Sequence, residues 1–112
     1  MEISQRPLEA DIVLVRLAGR LDARFSPQVR ATLQELVETG RLKIIIDLQE
    51  VPFIDSSGLA ALVSGLRVAR EKGGNLALSG AQSQAQVVFQ LTMLDRVFAI
   101  HPSFEEAKQS LI

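Results

Sequence analysis

Asp55-Ser56-Ser57-Gly58 sets a carboxylate, two hydroxyls and a glycine side by side, where an apolar run turns into a helical pattern. Three chemistries fit those residue types. A serine nucleophile needs a base within reach and an oxyanion hole. The only histidine, His101, lies about 45 positions from Ser56, in the turn before the last helical segment, and no G-x-S-x-G elbow is present. Serine hydrolysis is therefore a poor fit. A helix cap is the structural reading, because a loop-to-helix junction leaves N–H groups that Ser or Asp satisfies. That accounts for one serine, not for two with an acid and a glycine. Gly58 in a first turn costs helix stability, and its missing side chain lets a backbone or a bulky partner come close. The third chemistry is covalent modification: one hydroxyl caps while its neighbour faces solvent at the positive end of the helix dipole, where a phosphate is tolerated.

Other chemistry-bearing residues are sparse. Asp47 and Asp55 end or follow strand-like runs, as an aspartyl phospho-acceptor would. The acidic pair near the first strand and the lysine after the last strand that a receiver domain needs are absent. Asp47 then reads as the end of its strand, organising the following loop. No cysteine and one histidine leave no thiolate chemistry and no conventional metal site. No Walker-type loop is present.

The elements that hold these residues follow from periodicity. "DIVLVRLAG" (11–19) reads as a strand, with "MEISQRPLE" before it as a hairpin partner across Ala10-Asp11. Pro7 restricts that partner to a sheet edge. Ser26-Pro27 supplies an N-cap and a proline at the first helical position. Val29, Leu33, Leu36 and Val37 then form one apolar stripe up to Gly40. "KIIIDL" (43–48) is apolar on both faces, as a covered central strand must be. The helix after Asp55 buries Leu59, Leu62, Val63 and Leu66 and ends at Gly73-Gly74. "NLALS" (75–79) is a strand, "AQSQAQVVFQL" a helix, and "RVFAI" (96–100) a strand. Phe89, Leu91 and Leu94 read as core, His101 as a surface turn residue, and Ser103 with Glu106 as a capping box for a short last helix. Phe25 and Phe53 fit either core or partner contacts. The expected fold is α/β, a single domain over residues 1–112. It has a mixed sheet of about five strands with four helices in the order ββαβαβαβα.

Composition narrows the function. With 47% hydrophobic and 22% charged residues the 112-residue chain has the makings of one globular domain. Twelve basic against thirteen acidic residues, without a Lys/Arg cluster, argue against nucleic acid. No apolar run approaches the roughly 20 residues of a membrane span, and the first residues lack the pattern of a signal peptide. A cytoplasmic protein without membrane insertion is expected.

"GRLDA", "IIIDLQEVPFIDSSGLAALV", "GGNLALSG" and "LDRVFAIHPSFEEAKQSL" together resemble the STAS family, and most closely its stand-alone bacterial anti-sigma factor antagonists. The resemblance runs from about residue 8 to 111, with 47–63 its most specific part. It implies that the unmodified protein binds an anti-sigma factor, often a serine kinase of the GHKL ATPase type, and so frees a sigma factor. It implies phosphorylation of Ser56, reversed by a metal-dependent serine phosphatase, and a partner surface of Asp22, Asp55, Ser56, Ser57 and Gly58. No cofactor and no catalytic activity are implied, and the protein is expected as a monomer or weak dimer. Arg20 stands where relatives often carry an acid, a change that bears on which partner is accepted. Within the same family, an accessory subunit of a membrane transport complex and a nucleotide-responsive regulatory module are the alternatives.

Overall fold

Residues 44–46 are all isoleucine, and the strand that holds them is covered on both faces. In a computed structural model describing residues 1–112, this strand, β3 (Lys43–Glu50), is the middle of a five-stranded sheet of order β1-β2-β3-β4-β5. The others are β1 (Glu2–Pro7), β2 (Ile12–Ala18), β4 (Asn75–Ser79) and β5 (Ala99–His101). β1 pairs antiparallel with β2, and every later pair is parallel. The helices are α1 (Ser26–Glu38), α2 (Ser56–Glu71), α3 (Ser83–Leu91) and α4 (Phe104–Leu111). The expected order and the mixed sheet are both present. Pro7 sits in the edge strand, where its missing N–H breaks no central ladder. The hairpin turns at Ala10 and Asp11, with φ of 60° and 61°.

Side-chain alternation divides the core in two. Ile44, Ile46 and Leu48 join a 23-residue cluster with the buried stripes of α1, α2 and α3. Ile45 faces the other way, into a six-residue cluster with Ile12, Leu14, Ala77 and the α4 residues Ala107 and Leu111. One face thus carries three helices and the other a single short one.

Several expectations shift, each for a local reason. Ser26 is not the cap of α1: it lies inside the first turn, buried, with no side-chain capping bond. The Asp22 carbonyl instead accepts from the N–H groups of Phe25 and Ser26, so a turn precedes the helix and Pro27 falls one place later. Val63 is 36% exposed. Gly58, Ala61, Gly65 and Ala69 draw α2 close to its neighbours, and the buried arc centres on them, leaving Val63 at its margin. Leu91 is 79% exposed, because α3 buries Ala85 and Phe89 and a residue two further on points away. "RVFAI" is only partly strand. Met93 turns left-handed at φ 60°, Leu94–Arg96 form a 3-10 turn, and Phe98 packs on Phe89 with ring centroids 6.2 Å apart. β5 is left with the three residues that pair with β4. β3 runs on to Glu50, so Asp47 lies inside its strand rather than at the end.

Candidate functional site

α2 begins at Ser56, and Asp55 is its N-cap in extended conformation. The Asp55 carboxylate accepts from the Gly58 N–H at 2.9 Å, satisfying one of the helix's free donors. The capping task therefore belongs to the acid, one of the two residue types the sequence offered for it. Both hydroxyls are released from it. Ser56 is exposed, Ser57 and Asp55 are half-buried, and Gly58 is buried.

The loop in front of Ser56 is held on two sides. On one, Leu21 and Ile54 form an isolated parallel bridge: Leu21 N–H donates to the Phe53 carbonyl at 2.9 Å, and Asp55 N–H donates to the Leu21 carbonyl at 3.2 Å. This bridge places Asp22 next in register to Asp55. The Asp22 carboxylate accepts from the Arg24 N–H at 3.0 Å and lies 4.0 Å from the Arg20 guanidinium. On the other side the Gln84 amide of α3 takes both polar groups of Ile54. Its Oε1 accepts from the Ile54 N–H at 2.9 Å and its Nε2 donates to the Ile54 carbonyl at 3.0 Å. Gln82 Nε2 likewise donates to the Gln49 carbonyl at 2.8 Å. Gln84 thus does for the buried backbone of Ile54 what a further strand would do, and Gln82 ties the exposed end of β3 to the start of α3.

Gly58 has an internal reason. A Cβ there would meet the Leu21 carbonyl oxygen at 2.5 Å and the Leu21 Cγ at 2.7 Å. The close approach the glycine permits is that of the Leu21 backbone, so the residue faces inward and contributes no surface to a partner. A bulky residue at 58 would therefore strain the fold itself, not only a partner contact. Leu59 and Leu62 are buried, in the core as expected.

Arg20 lies over the Phe53 ring, 4.1 Å from its centroid, which fixes a cation beside the loop. Phe53 is half-buried beneath it, and Phe25 likewise carries Arg24 at 5.4 Å. Sequence reasoning missed Gln82 and Gln84, since their partners lie some 30 residues away and no periodicity marks them. It also passed over a row at the strand ends. Asp47 is 4% exposed and accepts from Arg16 Nε at 3.0 Å and from the Gln49 N–H at 2.9 Å. His101 is the last residue of β5, not a free surface turn, and its Nε2 is buried without a partner. A signal existed: "IIID", "LALS" and "AIH" each end an apolar run on a polar residue.

Comparison with known proteins adds the following. The family profile described as STAS domain matches residues 5–107. The anti-sigma F factor antagonist of Paenibacillus polymyxa is 28% identical over 101 residues, covering 89% of this chain and 84% of its own. A crystal structure of a Thermotoga maritima protein superposes with a TM-score of 0.91 at 25% identity, covering 97% of this chain and 93% of that one. The Bacillus cell-fate determinant SpoIIAA in its phosphorylated form superposes with a TM-score of 0.78 at 24% identity, covering 99% and 100%. No helix of the chain is long and apolar enough to cross a membrane.

Proposed function

The chain belongs to the STAS domain family, and from that premise we propose that it is an anti-sigma factor antagonist switched by phosphorylation of Ser56. The observation that carries the reading is the division of labour at the start of α2. Asp55 caps the helix, and Ser56 is left exposed at its first position with no structural task. The relative from Paenibacillus supports the antagonist role by its name, and the phosphorylated SpoIIAA structure supports a phosphate on this fold.

In this reading the unmodified protein is a cytoplasmic, non-catalytic module, monomeric or weakly dimeric. Asp22, Asp55, Ser56 and Ser57 form one contact face with the first turn of α2, and Gly58 supports it from inside. The partner is an anti-sigma factor that is also a serine kinase of the GHKL ATPase type. A metal-dependent serine phosphatase restores the hydroxyl. The phosphate adds about −1.5 to −2 charges, taking the net charge from −1 to roughly −3. Within the domain, repulsion from Asp55 and attraction to the helix N-terminus offset each other, so the fold changes little. Across the interface nothing offsets the cost of desolvating the phosphate against a surface shaped for a hydroxyl. A loss of a few kcal/mol follows, and each ~1.4 kcal/mol weakens binding tenfold.

Incubating variants with the partner kinase and ATP, with the modified residue mapped by mass spectrometry, tests the assignment. Ser56→Ala is expected to bind the partner constitutively, Ser56→Asp poorly, and Ser57→Ala still to accept phosphate. Phosphate on Ser57 with Ser56 untouched would overturn the choice of serine.

A further inference from the structure

Arg16, Asp47, Ser79 and His101 occupy successive in-register positions on β2, β3, β4 and β5. They share the parity of Leu14, Ile45 and Ala77, so they lie on the α4 face, one step beyond the six-residue core. Asp47, Ser79 and His101 line a cavity of about 770 Å³ at the carboxyl ends of the parallel strands. That volume is within the range of small-molecule sites, and that end of an open α/β sheet is where such folds take ligands.

The row is not a solvated sheet surface. Ser79 is 1% exposed, and neither its Oγ nor His101 Nε2 has a hydrogen-bond partner. Burying a hydroxyl without a partner costs stability, which a ligand offering complementary groups would recover. The charges already present answer each other: Arg16 is held by Asp47 at 3.0 Å, and the walls bring no other cation. An anion therefore finds no lysine and no free arginine in the walls to pair with, and a cation finds a carboxylate already engaged. Ile100 and Phe104 add apolar wall. Adjacent strands lie about 4.8 Å apart, so the Ser79 and His101 side chains stand close enough to converge on two neighbouring polar atoms of one small ligand.

We propose that this row, Asp47–Ser79–His101 with the Phe104 wall, binds a small uncharged planar molecule bearing an amide or heteroaromatic hydrogen-bonding edge. The site is separate from the Ser56 loop and does not depend on the antagonist reading.

An isosteric series tests both place and charge. Benzamide, with 2-pyridone as a second neutral probe, is titrated into the 15N-labelled protein alongside benzoate and benzamidine. The neutral probes are expected to shift the amide resonances of Ser79, Gly80 and His101 saturably by about 10 mM, the affinity scale of so few atoms. Benzoate and benzamidine are expected to be at least tenfold weaker. Ser79→Ala is expected to weaken the neutral probes at least tenfold while Tm holds or rises, since it removes an unpartnered hydroxyl. Absence of saturable shifts at these amides with both neutral probes overturns the proposal. So does equal binding of benzoate, or unchanged probe affinity in a folded Ser79→Ala protein.

Discussion

The two ends of the sheet are held together by different means. At the carboxyl ends of the parallel strands, side chains reach from one element to another: Gln84 of α3 to buried Ile54, Asp47 of β3 to Arg16 of β2, and, at the exposed rim, Gln82 to Gln49. At the amino ends the turns close on their own main chain. Arg41 N–H donates to the Leu36 carbonyl and Gly74 N–H to the Ala69 carbonyl, each at 2.8 Å, bonds that finish a helix locally. The long-range side-chain links at that end, Arg70 to Val97 and Lys108 to Glu9, are exposed. A buried loop must find partners for its backbone, and those partners fix its shape; an exposed turn has water. The carboxyl end therefore presents a rigid loop before Ser56, and the amino end only reverses the chain.

The largest expected effect breaks the braced end. Gly58→Val drives two methyl groups toward the Leu21 carbonyl, and the Leu21–Ile54 bridge has no room to yield. Overpacking against backbone is expected to cost about 3 kcal/mol or more, read as a collapse in the chemical denaturation midpoint or as insoluble protein. A Gly58→Val protein with unchanged midpoint would show that the loop adapts. Next in size is Gln84→Leu, which leaves the N–H and carbonyl of buried Ile54 unpaired. About 2 kcal/mol of destabilisation is expected. Gln84→Glu keeps the acceptor for the N–H but sets an oxygen against the carbonyl, so it is expected to recover none of the loss. Recovery by glutamate would assign the bracing to the N–H bond alone.

The same contrast explains what could be read from the sequence. β3, the hairpin and the stripes of α1 and α2 are legible because apolar periodicity is a local signal and core burial is its direct cause. Asp55-Ser56-Ser57-Gly58 is legible as a site because four unusual neighbours stand together. The assignment of tasks within it is not, because that depends on a Leu21 carbonyl 37 residues before Gly58 (58 − 21) and on an amide from α3. Val63 and Leu91 fall outside the core for a related reason. Small residues elsewhere on α2, and the early end of α3, decide which arc of each helix is covered.

At the amino end a smaller and opposite effect is expected. Asp11 holds φ 61° without being glycine, and Ala10 holds φ 60°. A left-handed backbone costs a non-glycine residue roughly 1–2 kcal/mol, and a hairpin turn with two such residues favours glycine at the second. Asp11→Gly is expected to stabilise the protein by about 1 kcal/mol in urea denaturation. Gly58, by contrast, tolerates no replacement. A destabilised Asp11→Gly protein would mean that the aspartate itself supports the turn.

The smallest expected effect lies with the pair that links this turn to α4. Lys108 Nζ is 2.6 Å from Glu9 Oε1. The hydrogen bond from Lys108, and then its charge, hold the Glu9 carboxyl below its ordinary value. A carboxyl lowered on folding contributes stability that is complete above the unfolded value, about 4.3 for glutamate, and is lost as pH falls through the lower folded value. Glu9 is largely exposed, so water and salt screen the pair. Glu9→Gln is therefore expected to give the least Tm change of the series at neutral pH. The difference from the parent should close in acid, once Glu9 is protonated in both states, and should shrink with added salt. A difference that persisted at low pH would assign the effect to packing of the side chain. One that grew with salt would mean that the carboxylate meets a negative neighbour more strongly than it meets Lys108.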